Sequence, residues 1–210
     1  MADLYRANLL GPDFHVEHGV EMTDDELKML RDTGGIVSSS VLGEFTYPKP
    51  SIHVKARELG VVAGIGLDVP VSFSPDFFEI VRAGNLVMYV LPEYAKLAEK
   101  YDSTMVLDFA TRVGAQAARC ADDRGTITVG KYADLILLRT DRMGFALFGS
   151  TLADSVLHFA NTVDVDSVWV RGVAKKRNGK LLGVDWPKLR KSVMEAGTRI
   201  RKDYATIKLV

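Results

Sequence analysis

Apolar and polar positions change their rhythm along this 210-residue chain, and each change predicts a different element. Phe14-His15-Val16-Glu17-His18 alternates at period two, the pattern of a short strand. Thr23-Asp24-Asp25-Glu26 then reads as a capping box, with Met22 and Leu27 placed to staple it. The helix it starts should reach Thr33 and stop at Gly34-Gly35. Ile36-Val37-Ser38 predicts a second strand, followed by a Pro-containing loop from Val41 to Ser51. Ile52, Val54 and Ala56 mark the inner face of a helix that leads to Gly60. Val61 to Leu67 is a continuous apolar run, as expected of a strand covered on both faces. Strands alternating with helices in this way predict βαβ units and a parallel sheet.

The middle of the chain is helical in pattern. Ser74-Pro75-Asp76 starts a helix with Phe77, Phe78, Ile80 and Val81 on its apolar face. A second helix is predicted from Thr104 to Ala118. After Arg124 the pattern becomes β. Gly125 to Gly130 and Ala133 to Leu138 read as strands around a turn. Val165 to Val170 and Val173 to Leu182 read as another pair, the second broken by the hairpin signal Asn178-Gly179. A helix follows Asp185-Trp186-Pro187. Two regions result: α/β over 1–121, and mostly β with flanking helices over 122–210.

Composition removes some functions. Lys plus Arg and Asp plus Glu both number 27, so the formal charge is zero, with no basic stripe for nucleic acid. The single Cys120 rules out an intrachain disulfide and fits a reducing compartment. There is no apolar stretch of bilayer length and no signal-peptide core near Met1. The expectation is a soluble cytoplasmic protein without nucleic-acid or membrane partners.

The chemistry-bearing candidates sit at strand ends. His18 follows the first strand and Asp68 directly follows the run Val61 to Leu67. Where parallel strands end, side chains project toward one mouth. Asp68 also has a plain alternative as a helix cap or turn former. His15 shares a strand face with Glu17 and so points away from His18. Glu44 lies in the loop at the same mouth, either as a substrate contact or as a solvated carboxylate. His53 is expected on the surface near a helix start, and His158 packed or half-exposed on a helix. Cys120 reads as inert. Gly64-Ile65-Gly66 lacks the third glycine of a dinucleotide fingerprint and is better explained by close packing.

Several segments together resemble the amidohydrolase superfamily, in its cytosine deaminase and triazine chlorohydrolase branch. Val16-Glu17-His18-Gly19 with Met22 to Leu27 is similar to that superfamily's sixth barrel strand and helix. Gly60 to Asp68 is similar to the eighth strand, which ends in Asp. Gly125-Thr126-Ile127-Thr128-Val129-Gly130-Lys131-Tyr132-Ala133-Asp134-Leu135 resembles the exit from the barrel into a β-sandwich, and Val168 to Gly172 with Asn178-Gly179-Lys180 its closing hairpin. The resemblance implies part of a TIM (β/α)8 barrel, about its last three strand–helix units, then part of a β-sandwich and a C-terminal helix. It implies a metal-dependent hydrolase of non-peptide C–N bonds acting on a small nitrogen-containing molecule. Asp68 would ligate a divalent metal, zinc or alternatively iron or manganese, and shuttle a proton. His18 would stand beside it, near the metal and the developing oxyanion. Glu44 and Glu21 are the further candidates for substrate contact.

The departures from that pattern are specific. No H-x-H occurs anywhere in the chain, and the fifth-strand histidine is missing. Glu21 replaces the second histidine of the sixth-strand motif, and Leu67 replaces the Thr before the final Asp. A complete barrel takes ~250 residues by itself. The chain therefore reads as the C-terminal segment of such an enzyme, inactive alone. The alternatives are a non-catalytic interaction module, or one half of a split hydrolase that pairs with a complementing N-terminal barrel half. A homo-oligomer is also compatible.

Overall fold

The computed structural model describes residues 1–90, 92–142 and 151–207, so the stretches 143–150 and 208–210 of the second region lie outside the described residues. After a short helix α1 (Ala2–Arg6), three strands form a parallel sheet in chain order: β1 (His15–Glu17), β2 (Ile36–Ser39) and β3 (Val62–Ile65). Helix α2 (Asp24–Asp32) links β1 to β2. Helices α3 (Val41–Glu44) and α4 (His53–Glu58) link β2 to β3. The capping box forms as the sequence predicts: the Glu26 amide donates to Thr23 Oγ1, and the Thr23 amide donates to Glu26. Leu27 and Leu30 carry the buried face of α2.

Val37, Ser39 and Ala63 share one face of the parallel sheet and are wholly buried. Leu27, Val54, Ala56, Val81, Val87 and Phe109 belong to the same core. On the other face His15 and Glu17 are exposed. There the His15 ring bonds Ser38 Oγ at 2.6 Å, and Ser40 Oγ donates to Glu17 at 3.0 Å. Gly64 lies where helix α8 (Arg112–Ala117) crosses β3; a Cβ on Gly64 would stand 2.9 Å from that of Ala117. This is the close packing expected of that glycine.

Helix α5 (Phe77–Val90) packs against α3 and β3, and is followed by α6 (Ala95–Lys100) and α7 (Ser103–Leu107). The single helix predicted over 104–118 is broken. A 3-10 turn at Asp108–Ala110 separates α7 from α8, and Thr111 leaves helical geometry at φ −127° and ψ −97°. The break turns Phe109 into the core, edge-on to His53 and stacked with Tyr101, with the Arg57 guanidinium over both the Tyr101 and Phe109 rings.

The second sheet is antiparallel and four-stranded, in the order β4 (Leu135–Leu138), β5 (Val165–Val170), β6 (Val173–Arg177) and β7 (Lys180–Leu181). Asn178 and Gly179, at φ 50° and 75°, form the expected tight turn, and Arg171-Gly172 makes a second one with the same signs. The strand expected over Gly125 to Gly130 does not form. Ile127 and Val129 point into solvent, and Lys131 pins the loop by donating to the Ala121 and Arg124 carbonyls. The sequence pattern there alternates, but among the described residues it finds no strand partner. Helix α9 (Leu152–Phe159) follows β4 yet returns to pack on α5 and α7, where Arg82 donates to the Leu157 and Ala160 carbonyls. The last described helix is α10 (Trp186–Tyr204), none of whose residues is buried. No described helix is long and apolar enough to cross a membrane.

Candidate active site

The C-terminal ends of β1 and β3 bring His18 and Asp68 together: His18 Nε2 lies 3.9 Å from Asp68 Oδ2. Both residues turn out of their strands in the left-handed region, each at φ 65°. That conformation is uncommon for residues other than glycine, although Asn, Asp and His tolerate it best. It persists only where surrounding contacts fix it. At His18 those contacts are the hydrogen bond its amide donates to the Ser38 carbonyl at 2.8 Å and left-handed Gly19 after it. A Cβ on Gly19 would sit 3.0 Å from Met22 Sδ and 3.1 Å from Ile52 Cδ1, so those side chains would have to shift to admit one, while the positive φ alone already favours glycine. Gly66 anchors the β3 end through a bond from its amide to the Ser39 carbonyl at 2.9 Å.

Behind His18 stands Glu44. The sequence pattern puts it in a loop, as a substrate contact or solvated carboxylate; it instead ends helix α3 and is fully buried. Its Oε1 accepts the Ser40 amide at 2.7 Å and meets His18 Nδ1 at 3.0 Å. The reason lies in the local sequence: Ser40 begins a helical turn, and a glutamate four residues on folds back to its free amide. Tyr47 meets the His18 ring edge-on, with centroids 5.7 Å apart. Glu21 is exposed and paired with Lys49. His15 is engaged with Ser38 and does not join His18.

His53, expected at the surface, is buried in the core. Its Nε2 faces the Gly84 carbonyl at 3.2 Å and its Nδ1 faces Ser51 Oγ at 3.2 Å. Burial pulls its pKa down to about 4, against a smaller upward pull from the Gly84 carbonyl. It lies on the helix side of the sheet and has a structural role. His158 is exposed on α9, and Cys120 lends its thiol to the Ala115 carbonyl. Two large clefts, one of about 720 Å³ beside α2 and α4 and one of about 820 Å³ between α5 and the antiparallel sheet, touch neither His18 nor Asp68.

A parallel sheet that gathers a histidine and a carboxylate at its C-terminal mouth is the arrangement of an α/β enzyme whose chemistry sits on its βα loops. The chain belongs to the amidohydrolase family, whose model matches residues 2–179. It is 26% identical over 192 residues to a 5'-deoxyadenosine deaminase of Methanobrevibacter smithii, covering 89% of this chain and 43% of that protein. It is 29% identical over 179 residues to an 8-oxoguanine deaminase of Pseudomonas aeruginosa, covering 84% of this chain and 38% of that one. A zinc-bound adenosine deaminase structure from Xanthomonas campestris superimposes with a TM-score of 0.85 at 22% identity, over 96% of this chain and 45% of its own. The chain thus spans less than half the length of these relatives.

Proposed function

We propose that this chain is part of a hydrolase that removes an amino group from a nitrogen heterocycle, with Asp68 moving the proton. The observation that carries this reading is the 3.9 Å approach of His18 and Asp68 at the mouth of the sheet, in a chain of the amidohydrolase family. Asp68 takes a proton from the attacking water as the new C–O bond forms. It returns that proton to nitrogen as the C–N bond breaks and ammonia leaves. Its side chain is 41% exposed, which gives water and substrate access to it. The parallel sheet is read as the last three strands of a barrel, with a boundary near residue 121 marking the change to antiparallel pairing. The named relatives act on purines, which makes an aminopurine the favoured substrate class.

For a divalent metal such as zinc the described residues fit only in part. His18 and Asp68 are suitable donor types and would contribute to holding such an ion, which would supply activation of the attacking water. No group of three His, Cys, Asp or Glu suited to a metal exists among the described residues, whereas catalytic zinc normally takes about three protein ligands. These residues by themselves do not hold the ion, and the proton step above is assigned to Asp68 alone.

Ammonia release from a panel of aminopurines, measured with zinc present on the natural gene product that contains this chain, tests the reading. Turnover in the wild type and a loss of at least ~1000-fold in Asp68→Asn, with an unchanged circular dichroism spectrum, is expected of a residue that transfers the reacting proton. Turnover that survives Asp68→Asn removes Asp68 from the mechanism.

A further inference from the structure

We infer that Glu44 is a positioning residue: it fixes the proton of the His18 ring on Nδ1 and so presents a bare Nε2 lone pair to Asp68 and the mouth. The role rests on the proposed function for its purpose, but the proton placement stands on geometry alone.

Glu44 Oε1 already accepts the Ser40 amide at 2.7 Å, and the same oxygen faces His18 Nδ1 at 3.0 Å. An oxygen that accepts from a backbone amide is set up as an acceptor, and the same Oε1 has a second lone pair to offer the ring N–H. The hydrogen between it and the ring therefore belongs to Nδ1. A neutral imidazole carries one N–H, so Nε2 is left as the acceptor. Glu44 is 0% exposed, and its Oε2 is buried without a hydrogen-bond partner among the described residues. Its hydrogen bonding is thus channelled through Oε1, to one amide and one ring nitrogen. A buried carboxylate left half-satisfied is costly for stability, and in native proteins such groups are often retained for function.

The ring is also held in angle. The His18 amide is tied to the Ser38 carbonyl, and Tyr47 lies edge-on to the imidazole at an interplanar angle of 72°. Ser40, Glu44 and Tyr47 all lie on the one segment that follows β2, so a single short stretch sets both the tilt of the ring and its tautomer. A histidine whose remote nitrogen donates to a carboxylate is oriented and made more basic at the other nitrogen. On this arrangement Glu44 serves His18 from behind and never meets the substrate.

The test is long-range proton–nitrogen NMR of the histidine rings in the metal-free chain, at alkaline pH where free imidazole is neutral. His18 is assigned by its loss in His18→Gln. Protonated and bare ring nitrogens resonate far apart, so the tautomer is read directly. The wild type is expected to show His18 protonated at Nδ1. Glu44→Gln, whose carbonyl can still accept, is expected to keep that form, and Glu44→Ala to shift the ring toward Nε2 protonation. A wild-type His18 protonated at Nε2 overturns the inference, as does a Glu44→Ala chain whose His18 stays protonated at Nδ1. The wild-type spectrum decides even if Glu44→Ala does not fold. The two readings also fail separately, because absence of ammonia release leaves the tautomer untouched, and an active enzyme with Nε2-protonated His18 removes only the role of Glu44.

Discussion

His18 and Asp68 hold the same left-handed backbone at φ 65° just beyond the ends of two strands of one sheet, and their side chains approach to 3.9 Å. The conformation restricts what each position accepts, and at Asp68 the restriction can be measured apart from any chemistry. Asn tolerates this region, glycine adopts it freely, and a residue with an ordinary Cβ is strained there by about 1 kcal/mol or more. Asp68→Ala is therefore expected to lose about that much stability to urea relative to Asp68→Gly. Equal midpoints for the two would mean that the strand end relaxes out of the left-handed region.

Acid should weaken the fold through His53. In the folded chain the ring stays neutral down to about pH 4, whereas its ordinary value is 6.5. Between those values the unfolded chain binds the extra proton, so stability is full above 6.5 and declines as the pH falls toward 4. Each step of one in pH across that interval is worth about 1.4 kcal/mol, so the decline from this group approaches about 3 kcal/mol. Urea midpoints measured across this range for wild type and His53→Gln should converge as the pH drops, because glutamine does not titrate. A constant gap between the two curves would remove His53 as the source.

The two glycines of Gly64-Ile65-Gly66 should respond differently to one added methyl group. At Gly64 it meets Ala117 Cβ at 2.9 Å, while at Gly66 nothing lies within 4 Å. Gly64→Ala is expected to cost about 1–3 kcal/mol by overpacking, and Gly66→Ala to stay within about 0.5 kcal/mol of the wild type. Thermal melts of the two variants side by side check this, and a tolerant Gly64→Ala would mean that α8 is free to move off β3.

Removing the Thr23 hydroxyl should loosen α2 at its start. Thr23→Ala gives up the acceptor for the Glu26 amide, an effect of about 1 kcal/mol. Hydrogen exchange should quicken at Glu26 and in the first turn of α2 ahead of the rest of the chain.

Much of this molecule is legible in the sequence where local chemistry decides. The capping box at Thr23, the turn at Asn178-Gly179 and the three short parallel strands follow from side-chain type and spacing. So does the convergence of His18 and Asp68, because parallel strands that end in ionisable residues point them the same way. Where tertiary contacts decide, the pattern misleads. His53 looks like a surface residue until Gly84 and Ser51 supply its partners inside the core. The helix over 104–118 reads as continuous until Phe109 is drawn between His53 and Tyr101. Glu44 shows its spacing from Ser40 in the sequence, but not that the pair closes around the ring of a residue on another strand.

The alternation across β2 has an effect at a distance. Val37 and Ser39 face one side of the sheet, and Ile36 and Ser38 the other, with Val37, Ser39 and Ile36 all buried. If β3 slid by one position against β2, Ala63 would leave its sealed niche and Gly64 would take its place, while the tip carrying Asp68 would swing to the other side of the layer. The alignment of the acid with its histidine is thus enforced by greasy residues several positions down each strand. Substitutions at Val37 or Ala63, which touch no reactive group, will blunt the mouth by letting its two walls fall out of step.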